Sequence, residues 1–447
     1  MSDSTPVQHT GPPEPVPPTT WRGYLRGVGP GLLVSMAWMG AGDLVDSAVS
    51  GANYGYTLMW ALALALFSRY FFTSAIAKYG LCNAVGDTSI IAGFGALWRR
   101  LPLVIGTLAL ASGFILQTYM VVAVGTALHR LSGGFGGETW GPFLWTVVAA
   151  AAGWLLLTRP RAYSALEIIA RVKVAILVLV FVYAAVAARP DPGEIVAGLA
   201  FSHPPDTGVF STLLVAAAII GAVGGSAGNL MYPEFIRDKG WSGPGFLRMQ
   251  RIDLASGVLA VIVVNLAIWV VAAEVVRPAG FQVATLDDLG TMMRLAIGPA
   301  GPWLLWIGLA LTAFCSFTGY ARGYTKIFFS GLHSAFPRRA AADPDAADRT
   351  RPFRAVQIGL MVLVPIVFAL PVFPDVVVMT VVGSATAGLM APVIIVGTLL
   401  LTNDRRRMLP GYTNRWWENV VLVVVGLVGL WAAYGLVTGL PELLAGQ

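Results

Sequence analysis

Charge is scarce in this chain. Of 447 residues, 12% are Asp, Glu, Lys or Arg, against roughly 25% in a soluble domain. That shortage argues against an ordinary soluble enzyme or binding module. Cysteine is nearly absent too. Cys82 and Cys315 sit in or beside apolar segments and define neither a disulfide framework nor a metal-ligand spacing. The four histidines, His9, His129, His203 and His333, fall in the tail, in loops or at helix ends, which argues against a histidine metal cluster. There is no nucleophile constellation, no phosphate-cradling glycine loop and no ATP motif. Nothing points to an enzyme or to a bound cofactor. Residues 1–20 are rich in Pro, Ser and Thr and lack the apolar core of a signal peptide. Residues 1–24 read as a disordered cytoplasmic tail.

What the chain has in abundance is long apolar runs. Hydrophobic residues make up 56% of it, and mean hydropathy is +0.72. Runs of about 20 apolar residues suffice to cross the ~30 Å hydrocarbon core of a bilayer. The pattern predicts eleven such spans, near 29–51, 56–79, 101–127, 142–158, 163–187, 209–232, 252–275, 301–334, 355–371, 375–402 and 416–439. They are numbered one to eleven below. They compose a single transmembrane domain over 25–441, an all-α polytopic membrane protein whose surroundings are the lipid bilayer.

Lys and Arg in the connecting loops set an orientation. With the N-terminus inside, the outer segments hold only Arg130, Arg189, Arg277 and Arg294. Most of the other basic residues fall on the inner side, including the Arg405-Arg406-Arg407 run. The N-terminus is then cytoplasmic and the C-terminus outside, in the cell membrane. The net charge of +6 is explained as a topology signal, with no nucleic-acid partner required.

Two spans are interrupted by glycine. Span one carries Gly40-Ala41-Gly42-Asp43, and span six carries GAVGGSAG from Gly221 to Gly228. Glycine disfavours helix and frees backbone groups. Within a bilayer, freed groups are tolerated only where protein buries them or they line a cavity. Paired breaks in matching positions of two halves are a sequence pointer to a transporter's substrate site. The breaks are five spans apart, so the broken helices run in opposite directions. Spans one to five and six to ten then form inverted repeats, with span eleven added. This is a LeuT-type 5+5 bundle.

Several residues near the breaks could carry chemistry. Asp43 and Asp46, at i and i+3, share a helix face and suit cation coordination or proton carriage, since acids within a membrane usually face a cavity or partner. The competing reading makes Asp43 the N-cap of the second half-helix and Asp46 its N3 residue. At the second break, Ser226, Asn229 and the carbonyls from Ala222 through Gly225 to Gly228 offer oxygen ligands. The alternative there is close helix packing through small residues. Gly40 and Gly42 would border the same site. For a metal, Asp43, Ser226 and Asn229 are the candidate ligands. Glu167 pairs with Arg171 at i, i+4 in span five, as an internal salt bridge or part of a proton path. Arg69 lies deep in span two as a partner for an acid.

Gly29-Pro30-Gly31-Leu32-Leu33-Val34-Ser35 resembles the opening of span one in Nramp-type divalent metal transporters. Tyr54-Gly55-Tyr56-Thr57-Leu58-Met59-Trp60, Leu166-Glu167, Arg251-Ile252-Asp253, Asn265-Leu266-Ala267-Ile268 and Ser316-Phe317-Thr318-Gly319 are similar in order and spacing. The resemblance covers roughly 25–440 and identifies the chain as a divergent member of that superfamily. It implies a LeuT-type bundle carrying divalent metal, often with protons. Family members bind the metal through Asp-Pro-Gly-Asn in span one and Met-Pro-His in span six. Here Gly40-Ala41-Gly42-Asp43 stands at the first motif. The second falls within Gly225 to Gly228, without methionine or histidine. A thioether favours softer transition metals. Its loss leaves an all-oxygen site suited to Mg²⁺, Mn²⁺ or Ca²⁺.

Three functions follow from these readings. The first is a secondary transporter of divalent cations. The second is an ion-coupled transporter of a small organic solute on the same scaffold. The third is a non-transporting receptor or accessory protein on a degenerate form of the fold. The sequence leaves the oligomeric state open.

Overall fold

A computed structural model of the chain describes residues 16–27, 38–87, 89–159, 162–206, 209–224, 226–280, 282–336 and 350–445. The first fifteen residues of the tail and the Gly29 to Ser35 motif lie outside them. The described residues form a helical bundle. Among the described residues, nine helices are long and apolar enough to cross a membrane. They are spans two (Met59–Cys82), three (Leu101–Leu131), four (Gly137–Thr158), six (Thr212–Arg237), seven (Pro244–Val276), eight (Gly301–Ala335), nine (Arg351–Ala369), ten (Val376–Asn403) and eleven (Trp416–Pro441). Span five is the helix Ala162–Ala187, with side chains described from Ala175 onward. Span one is described from Trp38, and its second half is the helix Ala41–Tyr54.

Burial sorts the spans into centre and rim. The apolar window of span six is 88% buried, whereas those of spans four, nine and eleven are 33% buried. The rim spans turn Trp154, Leu155, Leu427, Leu430 and Val437 outward. Apolar area on this scale marks a surface made for a nonaqueous neighbour, here the bilayer. The centre holds the second half of span one, buried at every residue.

The bundle closes through glycine. A Cβ on Gly113 of span three would fall 2.3 Å from the Tyr324 ring of span eight, and one on Gly331 would fall 2.3 Å from the Pro102 carbonyl. Spans three and eight therefore pack along most of their length with backbones close together. Between spans six and ten the approach is tighter. A Cβ on Gly221 would lie 2.0 Å from the Ser384 carbonyl, and one on Gly388 would lie 3.2 Å from the Gly221 Cα.

Local signals stop and start these helices. Gly55, with φ +59°, ends span one, and Gly298, with φ +81°, ends Leu286–Ile297; both conformations suit glycine. Thr285 and Asp288 form a reciprocal capping box at the start of that helix. At one end of the bundle Lys78 pairs with Glu418 at 2.8 Å, tying span two to span eleven. The helix Trp21–Gly27 precedes span one. Its Tyr24 ring lies under the Arg248 guanidinium, 5.2 Å from the ring centroid, so ordered structure begins inside the segment read as a tail.

Candidate substrate site

The two breaks meet at the centre of the bundle. In span one the chain is extended at Gly40 (φ −106°, ψ −167°), and the half-helix begins at Ala41. Gly40, not Asp43, is therefore the N-cap. Its N–H donates to Asp43 Oδ2 at 3.1 Å, which makes Asp43 the N3 member of the cap. Asp46 lies a turn further on, so the register differs by three residues from the sequence expectation. The physical reason is that glycine can serve as N-cap without a side chain, which leaves the acid at the position that reaches back.

Span six does not simply unwind. Thr212–Ile219 is α-helical and widens into a π-type turn over Ile220–Gly224. It resumes as a 3₁₀ turn, Ala227–Met231, capped by Ser226, whose Oγ accepts from the Gly228 N–H at 3.2 Å. Wide and tight turns of this kind leave i→i−4 carbonyls without helical partners. Gly225 lies outside the described residues.

A hydrogen bond from Trp38 Nε1 to the Gly228 carbonyl, 3.3 Å, joins the breaks directly. The space left between them is about 10 Å³ and is bordered by Asp43, Gly42, Ala222 and Ser226. That is room for one water or one bare ion. Tyr119 of span three and Tyr320 of span eight complete the wall.

Asp43 is 2% exposed. Asn265 of span seven donates to its Oδ1 at 3.4 Å and accepts from Ser47 at 2.7 Å, which fixes the amide's orientation. Ser316 of span eight donates to the Met39 carbonyl at 3.1 Å, holding the extended residues before the cap. Asp46 is 1% exposed, and neither of its carboxylate oxygens has a hydrogen-bond partner. The Ser384 hydroxyl of span ten stands beside it, between Asp46 and Tyr119. Buried carboxylate oxygens left unpaired are rare in folded proteins.

Arg69 is 1% exposed and donates from Nη2 to the Ala222 carbonyl. Its guanidinium carbon lies 4.9 Å from the centroid of the Trp38 ring.

The structure thus brings Asp43, Gly42, Ala222 and Ser226 to one space, with Arg69 joined to it through Ala222. Gly40 shapes the cap and does not border the space. Asn229 is 1% exposed and stands outside the lining, with its amide nitrogen unpaired. Glu167 lies in the span-five helix, and its side chain is outside the described residues. Among the described residues no three His, Cys, Asp or Glu side chains gather at one point, so neutral oxygens must supply part of any coordination here. The sequence reading gave no site role to Trp38, Tyr119 or Ser384, and named Asn265 only within a motif of resemblance. An asparagine in mid-span is costly in a bilayer, and that signal could have found Asn265.

The model of natural resistance-associated macrophage protein-like (Nramp) chains matches residues 31–438. The divalent metal cation transporter MntH of Bradyrhizobium diazoefficiens is 27% identical over 303 residues, 66% of this chain and 63% of that one. The chain therefore aligns with somewhat under two thirds of that relative's length. A shorter stretch of 61 residues is 39% identical to the metal transporter Nramp6.2 of Populus trichocarpa, covering 14% of this chain and 11% of the other. Among solved structures, the Eremococcus coleocola manganese transporter superposes with a TM-score of 0.66 at 18% identity, over 94% of this chain and 89% of that one. Mhp1, a nucleobase-cation-symport-1 family transporter, gives 0.52 at 14% identity, over 93% and 92%. These likenesses show the fold, a LeuT-type helical bundle.

Proposed function

The chain belongs to the Nramp family, a family of membrane transporters rather than enzymes, and from that premise we propose that it carries divalent metal cations across the cell membrane. The observation that carries this reading is the space of about 10 Å³ at the crossing of the two breaks, with Asp43 on one side and Ser226 and Ala222 on the other. A bare ion fits that volume, and an organic solute does not. Two relatives are named as carriers of divalent metal or manganese, which supports the same class of substrate.

In this reading Asp43 supplies the charge, and the Ser226 hydroxyl and span-six carbonyls supply neutral oxygens. Asn229 would join them only after a shift that brings its amide to the space. Hard oxygen ligands without a thioether favour Mg²⁺, Mn²⁺ and Ca²⁺ over softer ions. Asp46 is the second acid at the crossing and the candidate carrier of a coupled proton. The loop charges support a cytoplasmic N-terminus and an outer C-terminus.

The test is Mn²⁺ and Mg²⁺ influx into proteoliposomes holding the purified protein, with internal pH recorded alongside. Saturable influx that disappears in Asp43→Ala, in protein that still folds, is the expected result. Absence of influx for both ions in folded protein would overturn the reading.

A further inference from the structure

We propose that Arg69 is a tethered cation held beside the crossing of the two breaks when no metal is bound, on the Ala222 carbonyl and the Trp38 ring, and that a metal ion entering the adjoining space displaces it from that carbonyl. This rests on the reading of the crossing as a cation site.

A guanidinium buried at the centre of a membrane protein is expensive, and it is ordinarily retained with its donors satisfied. Arg69 is not satisfied in that way. It is 1% exposed, yet Nε and Nη1 have no hydrogen-bond acceptor. What holds it is the set of interactions that holds a cation. Nη2 donates to the Ala222 carbonyl, in the widened turn of span six. The guanidinium lies over the face of Trp38, the residue two positions before the Gly40 cap. Asp43 stands across the same small space as Ala222 and Trp38, so the attraction between acid and guanidinium acts at longer range than a direct pair. Ala222, Trp38 and Asp43 all border the ion-sized space.

Those are the groups a metal would use. A carbonyl already accepting from Arg69 offers less to an ion, and a second cation placed beside a buried guanidinium is strongly repelled. Metal binding and retention of Arg69 in this position are therefore alternatives. The guanidinium keeps the breaks from facing each other as an empty, uncompensated acid site. It also sets a threshold of charge that an incoming ion must exceed, which favours dications over monovalent ions.

The experiment compares full-length wild type, Arg69→Gln and Arg69→Lys in detergent, with two readouts. The first is Mn²⁺ affinity by titration calorimetry. The second is the melting temperature of metal-free protein in N-methylglucamine chloride against NaCl or KCl. The expected result is that Arg69→Gln binds Mn²⁺ at least about tenfold more tightly. It should also be stabilised by Na⁺ or K⁺, since a small cation refills the vacated position. Arg69→Lys, which keeps the charge, should match wild type in both. If Arg69→Gln folds only in the presence of Na⁺ or K⁺, the proposal stands. Unfolding of Arg69→Gln in every salt, or unchanged or weaker Mn²⁺ affinity in folded protein without a response to Na⁺ or K⁺, would overturn it. Should neither wild type nor Arg69→Gln bind Mn²⁺, the metal reading fails, and the salt response still decides for or against a tethered cation.

Discussion

Gly42→Ala should separate transport from folding. Gly42 is the second residue of the span-one half-helix and borders the central space. A Cβ there would lie 3.0 Å from Ser384 Oγ, 3.1 Å from Tyr119 Oη and 3.7 Å from the Ala222 Cβ. Tyr119 and Ala222 are walls of the same space, so the added methyl group enters it. The folding terms nearly cancel. Alanine gains up to about 1 kcal/mol over glycine in helix propensity, and a tight contact costs about 1–3 kcal/mol. The lower end of that cost applies, because the nearest atoms are the ends of the Ser384 and Tyr119 side chains, which can give by a few tenths of an ångström, rather than backbone. The variant should therefore melt close to wild type. Transport should fall at least about tenfold, a loss of only about 1.4 kcal/mol of ion binding, because a volume of about 10 Å³ cannot hold both a methyl group and an ion. The assay is Mn²⁺ influx into proteoliposomes, with a thermal melt of the same preparation. Wild-type influx at a wild-type melting temperature would refute the placement of the ion between the breaks. Gly221→Ala is the contrasting control. Its Cβ would meet a backbone carbonyl at 2.0 Å, so it should fail to accumulate as folded protein.

Other positions give independent checks. Asp46→Asn removes a buried carboxylate that has no hydrogen-bond partner. The isosteric amide is equally polar, so this variant should melt close to wild type while the pH change that accompanies transport is lost; wild-type transport with an unchanged internal pH trace would remove Asp46 from the proton path. Glu418→Gln takes the counter-charge from Lys78, whose side chain is 7% exposed. Breaking such a pair costs about 3 kcal/mol, and the Lys78→Met, Glu418→Leu double variant should recover most of that loss. A single variant as stable as wild type in chemical or thermal denaturation would show that the Asn414 and Thr413 oxygens suffice for Lys78.

The bundle was legible in the sequence because length and hydropathy dictate it. A run such as Leu101–Leu131 has no other use in a chain with so little charge. The breaks were legible because glycine clusters in mid-span have few readings. The site was legible only in part. Asp43 could be named because an acid in a membrane span is expensive, but its cap register was misplaced. Gly40 and Asp43 are both cap formers, and only the observed extended backbone decides between them. Asn265 and Ser384 reach the two aspartates from more than two hundred residues away in the chain, and no local pattern records such a pairing. Ser384, within Gly383-Ser384-Ala385, reads as a small packing residue. Arg69 was read as the partner of an acid, but its hold on the Ala222 carbonyl depends on the widened turn of span six, which glycine content alone does not specify.

Where Gly221 meets Ser384 and Gly388, two backbones touch with no side chain between them. Neither glycine can acquire even one carbon unless the other strand of the contact retreats. Gly221 also borders the central space, but Asp43, Tyr119 and Ser226 present side chains to it, and these can be exchanged without moving a backbone. The architecture thus divides its inheritance into two ledgers. One is the identity of the cargo, open to revision residue by residue. The other is a bare bearing between spans six and ten, which any change of cargo must leave untouched.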